Sequence, residues 1–235
     1  MKALILAAGL GTRLAPITND KPKSLVPVNG KPILLKQIDN LHENGITDIT
    51  IISGYKADIL EKTVHELFPE IKIIESVDYA TTNNMYSAYL GRESVEGSAF
   101  LMMNADVFFD SSIIKSLIEF ESQDAIVVEI GRYVEESMKV VEKDGHLVGI
   151  SKAFSKDEAL GVSIDVYKFS AEGGAAFFNK CREYIEDRKE LKMWSEVALN
   201  DILEDSDFRA CPLNGRWLEI DNHDDLAEAE RIFAD

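Results

Sequence analysis

Hydrophobic and polar positions alternate in two different ways along the first half of the chain. Residues 2–8 are a continuous apolar run that ends at a glycine, which predicts a strand buried on both faces. Residues 31–45 instead carry apolar positions at helical spacing, with Pro32 near the start and Gly45 at the end. The β-branched stretch 46–55 then predicts a second strand.

The same alternation continues to residue 130. It predicts helices at 56–68, 85–93 and 111–120, and strands at 71–74, 98–109 and 124–130. Strands that alternate with helices imply right-handed crossovers. The first half therefore predicts an α/β fold with a mostly parallel, doubly wound sheet flanked by helices.

The second half of the chain has a different pattern. Residues 138–150 form two short strands around Asp144 and Gly145, a pair typical of a hairpin turn. Further elements are a strand at 161–169, helices at 171–189 and 194–203, a strand at 216–220 and a helix at 224–233. Because no Pro-, Gly- or Ser-rich linker interrupts the chain, we expect one domain over 1–235 with a small antiparallel elaboration in its second half.

Composition excludes several classes of function. The chain has 235 residues and a net charge of −17, which argues against nucleic acid as a partner because that binding needs a basic face. No segment reaches the ~20 apolar residues that cross a bilayer. Cys181 and Cys211 lack metal-ligand spacing, and the apolar run after Lys2 lacks a signal-peptide cleavage pattern. We therefore expect a cytoplasmic protein without a membrane partner; homo-oligomerisation stays open.

The loop after the first strand, "LAAGLGTRLAPITNDKPKSL" at 6–25, combines glycines with cations. Gly9 and Gly11 would let the backbone approach phosphate oxygens, and Arg13 and Lys23 would add charge. The loop lacks the Gly-Lys-Ser/Thr end of a P-loop and the third glycine of a dinucleotide motif. On these residues alone, an ordinary turn with solvated cations remains the alternative.

Two aspartates follow apolar strands at positions where ligand crevices open in parallel sheets. Asp106 lies within 98–109, and Asp221 comes directly after 216–220. Mg²⁺ prefers oxygen ligands and needs few from the protein when phosphates supply others. Each aspartate has an alternative role as a helix cap, which the local sequence does not exclude.

The 6–25 stretch resembles the signature of the nucleotidylyltransferases that activate sugar phosphates and related phosphorylated molecules. The matching positions are Leu6, Gly9, Gly11, Thr12, Arg13, Leu14, Pro16, Thr18, Pro22, Lys23 and Leu25. The resemblance implies a Rossmann-like, glycosyltransferase-A-type sheet with this loop around a nucleoside triphosphate. It also implies a nucleotide-binding part at 1–110 and an acceptor-binding, metal-completing part at 111–235. Its catalytic residues would be Lys23, Arg13, Asp106 and Asp221, the two aspartates binding Mg²⁺.

Residues 79–90, "YATTNNMYSAYL", indicate the branch of the family. They resemble phosphocholine cytidylyltransferases, whereas thymidylyl- and uridylyltransferases carry Gln-Pro-x-Gly-Leu-Ala at this place. The resemblance implies CTP as the nucleotide. The expected nucleotide-binding residues are Leu6, Ala8, Gly9, Gly11, Thr12, Arg13, Lys23, Gly54, Asn83, Asn84, Ser87 and Asn104.

The acceptor is less clearly indicated. A quaternary ammonium needs an aromatic cage, and the stretch "EESMKVVEKD" contains no aromatic residue. We expect Lys139 to meet the acceptor phosphate, with a solvated hairpin lysine as its alternative. The expected acceptor-binding residues are Lys139, Glu129, Lys152, Trp194 and Glu196.

The resemblance favours capsule-pathway enzymes that join CMP to phosphoglutamine. Phosphocholine, inositol phosphate, aminoalkylphosphonates and hexose 1-phosphates with dTTP or UTP remain alternatives. The sequence shows no Ser–His or Cys–His arrangement, and attack by an acceptor phosphate needs none. A glycosyltransferase and a non-catalytic nucleotide sensor are the rival interpretations.

Overall fold

A nine-stranded sheet organises the computed structural model, which describes residues 1–234. The strands are β1 (Lys2–Ala7), β2 (Pro27–Val28), β3 (Lys31–Pro32), β4 (Ile49–Ser53), β5 (Lys72–Glu75), β6 (Phe100–Asn104), β7 (Val107–Phe109), β8 (Asp124–Ile130), β9 (Lys139–Lys143), β10 (His146–Ser151), β11 (Gly161–Phe169), β12 (Phe208–Pro212) and β13 (Trp217–Glu219). The helices are α1 (Ile33–Glu43), α2 (Ala57–His65), α3 (Asn84–Val95), α4 (Ser111–Glu119), α5 (Ala171–Arg182), α6 (Ser195–Leu203) and α7 (His223–Ile232).

The sheet is parallel in its first half and mostly antiparallel in its second, where β12 runs parallel to β8. Along its main path the order is β10-β9-β11-β6-β1-β4-β5, and β8 pairs with β11 and with β12. β6, β1, β4 and β5 are parallel neighbours, while β11 runs antiparallel to β6. The predicted α/β architecture with an antiparallel elaboration is therefore confirmed.

Helices cover both faces of the sheet, and β1 shows why its apolar run is continuous. Ala3, Ile5 and Ala7 pack on one face, together with α1, α2 and α4. Leu4 and Leu6 pack on the opposite face, together with α3, α5 and α6. Successive side chains of a strand point to opposite faces, so a strand that is covered on both sides carries apolar side chains at successive positions.

The segment predicted as one strand over 98–109 is two strands. Its turn at Ala105 and Asp106 separates β6 from β7, which leaves the main sheet to pair with β13. The backbone N–H of Ile220 donates to the carbonyl of Asp106 at 2.9 Å. The break therefore brings the region after β6 beside the end of β13, which the sequence placed more than a hundred residues apart.

Other elements also differ from the prediction. β12 was not predicted, although it pairs with β8 over five residues. The helix predicted over 171–189 ends at Arg182 and continues as a π-helical turn at Glu183–Asp187. Within residues 1–234, every helix is too short or too polar to cross a membrane.

Candidate active site

A cleft of about 460 Å³ opens at the carboxyl ends of β1 and β6. Every predicted nucleotide-binding residue except Gly54 lines it. Lys152, Trp194 and Glu196 from the predicted acceptor set line it as well, as do Asp106 and Asp221. Gly54 lies behind the loop, where a Cβ would come within 2.7 Å of the Ala8 carbonyl oxygen.

Gly11 allows the loop to lie against the short helical turn that carries Lys23. Its φ is +61°, and a Cβ at this position would lie 2.7 Å from the Cβ of Lys23. The hydroxyl of Thr18 donates to the Gly11 carbonyl at 2.9 Å and holds the loop in this position. A residue with a side chain would strain the backbone and push Lys23 away.

Lys23 lies between two carboxylates that come from distant parts of the chain. Its Nζ is 2.8 Å from Asp106 Oδ2 and 2.7 Å from Asp221 Oδ1. Burial alone would lower the pKa of Lys23, but the two carboxylates outweigh it and hold that pKa well above its ordinary value. Lys23 is therefore a fixed positive charge at the mouth of the loop.

Arg13 adds a second cation beside Asp221. Its Nη2 lies 2.8 Å from Asp221 Oδ2, and its side chain is largely exposed to the cleft. Burial would raise the pKa of Asp221, yet Lys23 and Arg13 together hold it below its ordinary value. Both cations are thus placed to exchange carboxylate partners for phosphate.

Asp221 is not the N-cap of α7, although its position in the sequence also permitted that role. Asn222 is the N-cap of α7, and its side chain accepts from the backbone N–H groups of Asp224 and Asp225. The Asp225 carboxylate in turn accepts from the backbone N–H groups of Asn222 and Asp221. Because neighbours cap the helix, the carboxylate of Asp221 can face Lys23.

Glu219 completes an acidic cluster that sequence reasoning missed. One oxygen each from Asp106, Glu219 and Asp221 lie within 4.8 Å of one another. Burial and then Asp106 and its acidic neighbours raise the pKa of Glu219 to about 9. The signal for it was present in "WLEID", where a second carboxylate stands two residues before Asp221.

The cluster suits a hard divalent cation. Oδ1 of Asp106 is buried and accepts no hydrogen bond within the described part of the chain. A buried carboxylate oxygen without a donor is unfavourable unless a ligand completes it. Oxygen donors from two or three carboxylates, with room for phosphate and water, match what Mg²⁺ uses.

Asp165 is a second cleft carboxylate that sequence reasoning missed. It adopts φ +58° where the pairing of β11 with β8 shifts register, and Asn104 Nδ2 donates to its Oδ2 at 3.0 Å. Burial and then Glu196 and Asp106 raise its pKa to about 7. A single carboxylate within the apolar strand 161–169 was the available signal.

Lys139 and Glu129 are not brought to the cleft. Lys139 is fully buried, and its Nζ donates to the carbonyl oxygens of Glu135 at 2.7 Å and Lys152 at 2.5 Å. Its position departs from the prediction that it meets the acceptor phosphate, because backbone carbonyls already use its ammonium. Glu129 Oε2 accepts from Trp217 Nε1 at 2.7 Å, with Arg132 as its other partner.

Comparison with known proteins gives a consistent result. The sequence pattern of the family described as "Nucleotidyl transferase" matches residues 2–146. CTP:phosphoglutamine cytidylyltransferase of Campylobacter jejuni is 27% identical over 248 residues, covering 96% of this chain and 98% of that protein. Choline-phosphate cytidylyltransferase of Streptococcus pneumoniae is 46% identical over 98 residues, covering 42% of each.

A solved structure shows the same fold over almost the whole chain. The CTP:phosphocholine cytidylyltransferase from Streptococcus pneumoniae superposes with a TM-score of 0.82 at 26% identity. The match covers 99% of this chain and 99% of that chain.

Proposed function

This chain belongs to the nucleotidyl transferase family, and we propose that it transfers CMP from CTP to a small phosphorylated acceptor and releases pyrophosphate. The observation that carries the proposal is the placement of Lys23 between Asp106 and Asp221 at the mouth of the glycine loop. Similarity to cytidylyltransferases supports CTP and favours phosphoglutamine as the acceptor. Phosphocholine, or a sugar 1-phosphate with dTTP or UTP, is the alternative.

The reaction is an in-line substitution at the α-phosphorus of CTP. An oxygen of the acceptor phosphate forms the new bond, while the bond from the α-phosphorus to the oxygen shared with the β-phosphate breaks. Pyrophosphate leaves with that bond's electrons. A phosphate monoester is largely dianionic at neutral pH, since its second pKa is about 6, so no general base is required. Catalysis is then positioning and charge neutralisation.

Lys23 and Arg13 supply the protein's positive charge for this step. Both contact Asp221 in the structure, and binding of a triphosphate would transfer their hydrogen bonds to phosphate oxygens. Asp106 and Asp221, with Glu219 beside them, would hold a divalent cation such as Mg²⁺, which would neutralise charge on the phosphates. The exposed backbone around Gly9 would lie against the same phosphates.

The start of α3 is proposed to bind the nucleoside. Asn83 is its N-cap, and Asn83, Asn84 and Ser87 line the cleft. Oδ1 of Asn84 accepts from the backbone N–H of Ser195 at 2.8 Å, which connects α3 with the start of α6. The nucleoside end is therefore attached to the helix that carries Glu196 at the acceptor end.

A matrix of substrates tests the proposal. The enzyme is incubated with each of four nucleoside triphosphates and with phosphoglutamine, phosphocholine, inositol phosphate, aminoethylphosphonate or a hexose 1-phosphate, and pyrophosphate is measured with Mg²⁺ or with EDTA. We expect Mg²⁺-dependent release with CTP, and loss of at least 100-fold in Asp106→Asn. Asp110→Asn is the matched control, because Asp110 pairs with Arg216 outside the cleft.

Three outcomes would contradict the proposal. Turnover of only a hexose 1-phosphate with dTTP or UTP would reject CTP and retain the family. Release of nucleoside diphosphate from CDP- or UDP-sugars would indicate a glycosyltransferase. Nucleotide binding without pyrophosphate release in any combination would indicate a sensor.

A further inference from the structure

One end of the cleft, lined by β11, α6 and the loop before β9, is rich in carboxylates. Glu136, Asp165 and Glu196 line it, in addition to the neighbouring acidic cluster proposed to bind the metal. Lys152 is the one cation among the described residues that line this end. The acceptor's phosphate must face Lys23 and Arg13, so the remainder of the acceptor would extend toward these carboxylates.

One carboxylate oxygen of Glu196 can accept a hydrogen bond from a ligand. The residue is only 2% exposed and lies in the first turn of α6. Its Oε1 is 2.9 Å from the hydroxyl of Tyr167 and 3.2 Å from that of Ser195. No described residue donates a hydrogen bond to Oε2, although the side chain lines the cleft. A carboxylate oxygen that faces the cleft without a donor from the protein can accept a hydrogen bond from a ligand.

Asp165 lies on the same side of the cleft and can accept further hydrogen bonds. The hydroxyl of Tyr167 lies 2.9 Å from its Oδ1, and the amide of Asn104 donates to its Oδ2. A carboxylate has about four lone-pair sites, so each oxygen retains capacity for another donor. Tyr167 contacts both Asp165 and Glu196 and thereby fixes their spacing.

Among residues 1–234, the aromatic side chains do not form a cage at this end. Trp194 is 44% exposed, and the Nζ of Lys152 already lies 5.0 Å from its ring centroid. Tyr79 also lines the cleft, but it packs beside Tyr55 and Gly54 behind the glycine loop. A trimethylammonium group on Trp194 would meet a like charge, and it has no N–H to donate to Glu196.

We propose that the acceptor carries a primary ammonium group that donates hydrogen bonds to Glu196 and Asp165, which makes the substrate class amino-bearing phosphates or phosphonates. This inference rests on the proposed function, because it assumes that the phosphate end is at Lys23. A primary ammonium has three N–H donors, and each added methyl group removes one. Quaternary ammonium acceptors and acceptors without an amine therefore cannot donate these charge-assisted hydrogen bonds to Glu196 and Asp165.

An N-methyl series tests the inference directly. With saturating CTP and Mg²⁺, kcat/KM is measured for phosphoethanolamine, its N-methyl and N,N-dimethyl derivatives, phosphocholine, and ethyl phosphate, which lacks the amine. We expect kcat/KM to fall along the series, with phosphocholine and ethyl phosphate each at least about tenfold below phosphoethanolamine, as loss of a charge-assisted hydrogen bond predicts. Equal or better turnover of phosphocholine, ethyl phosphate or glucose 1-phosphate overturns the inference and leaves the proposed function standing. Absence of pyrophosphate release with every acceptor overturns the proposed function itself.

Variants locate the preference on the proposed residue. Glu196→Gln keeps the side-chain volume and removes the charge, so we expect the ratio of phosphoethanolamine to ethyl phosphate to collapse toward one. Glu172→Gln is the matched control, because Glu172 is also the second residue of its helix but lies outside the cleft. Persistence of the amine preference in a folded Glu196→Gln protein would overturn the assignment.

A second variant tests the exclusion of quaternary ammonium groups independently of Glu196. Lys152→Met removes the cation from the face of Trp194 and leaves the carboxylates in place. We expect phosphocholine to gain relative to phosphoethanolamine in this variant, because its trimethylammonium group then no longer meets a like charge. An unchanged ratio would overturn the account of Trp194 and Lys152.

Discussion

Replacement of Lys139 by methionine would test whether a buried ammonium positions the acceptor wall of the cleft. Lys139 Nζ donates to the carbonyl oxygens of Glu135 and Lys152 and so joins the loop before β9 to the end of β10. The same two segments carry Glu136 and Lys152 into the cleft. Methionine preserves the length and the apolar contacts of the side chain while removing both hydrogen bonds.

The expected magnitude follows from those two hydrogen bonds. A hydrogen bond to a charged group contributes about 1.5–3 kcal/mol, so losing two destabilises the fold by roughly 3–6 kcal/mol. Unfolding entropy scales with length, and for a chain of this size 1 kcal/mol corresponds to about 2 °C. We therefore expect the Tm of Lys139→Met to fall by about 6–12 °C.

Lys168→Met is the matched control for this experiment. Lys168 is only 3% exposed and donates to carbonyl oxygens at the end of α4, among them Phe120 at 2.9 Å, away from the cleft. Both variants should lose stability, but Lys139→Met alone should raise the KM for the acceptor, by roughly tenfold if the loss at the wall resembles that of one hydrogen bond. The KM for CTP should not change. Equal acceptor KM values in the two folded variants, or an unchanged Tm in Lys139→Met, would refute the reasoning.

Three further predictions concern the loop and the acceptor end. Lys23→Met should lower kcat for pyrophosphate release by about 100-fold or more, while Lys21→Met, which changes a lysine outside the cleft, should retain activity. Gly11→Ala should lower Tm and raise the KM for CTP, because the φ of Gly11 is +61° and a Cβ there would meet Lys23. The control is Gly9→Ala, whose Cβ would meet nothing within 4 Å, and which should leave Tm unchanged in differential scanning fluorimetry. The pKa of Asp165 is raised to about 7 from an ordinary 3.8, so the folded state holds this proton more tightly and the stability it contributes is lost as pH rises from about 4 to 7. Asp165→Asn should reduce that decline in denaturant titrations at pH 4, 5.5 and 8, and an unchanged decline would contradict the assignment.

The local pattern of hydrophobic and polar residues was sufficient to predict the elements whose side chains pack on the two faces of the sheet. The apolar run of β1, the helical spacing of α1 and the alternating order of strands and helices depend on neighbours in sequence. The break between β6 and β7 at Asp106 was not predictable in this way, because both strands are buried and their residues form one mostly apolar stretch of the sequence. β12 was missed for a related reason, because it is stabilised by pairing with β8, a strand that lies far earlier in the sequence.

By itself, the sequence of this chain determined the glycine loop with its two cations and the two aspartates at strand ends. These are short-range patterns, and the cleft does contain Lys23, Asp106 and Asp221 together. Only the tertiary structure decided that Glu219 joins the aspartates, that Asp165 faces the cleft, and that the ammonium of Lys139 is used by backbone carbonyls. The physical reason is that the environment of a charged side chain depends on which distant segments meet around it, and strand pairing between segments far apart in sequence sets that meeting.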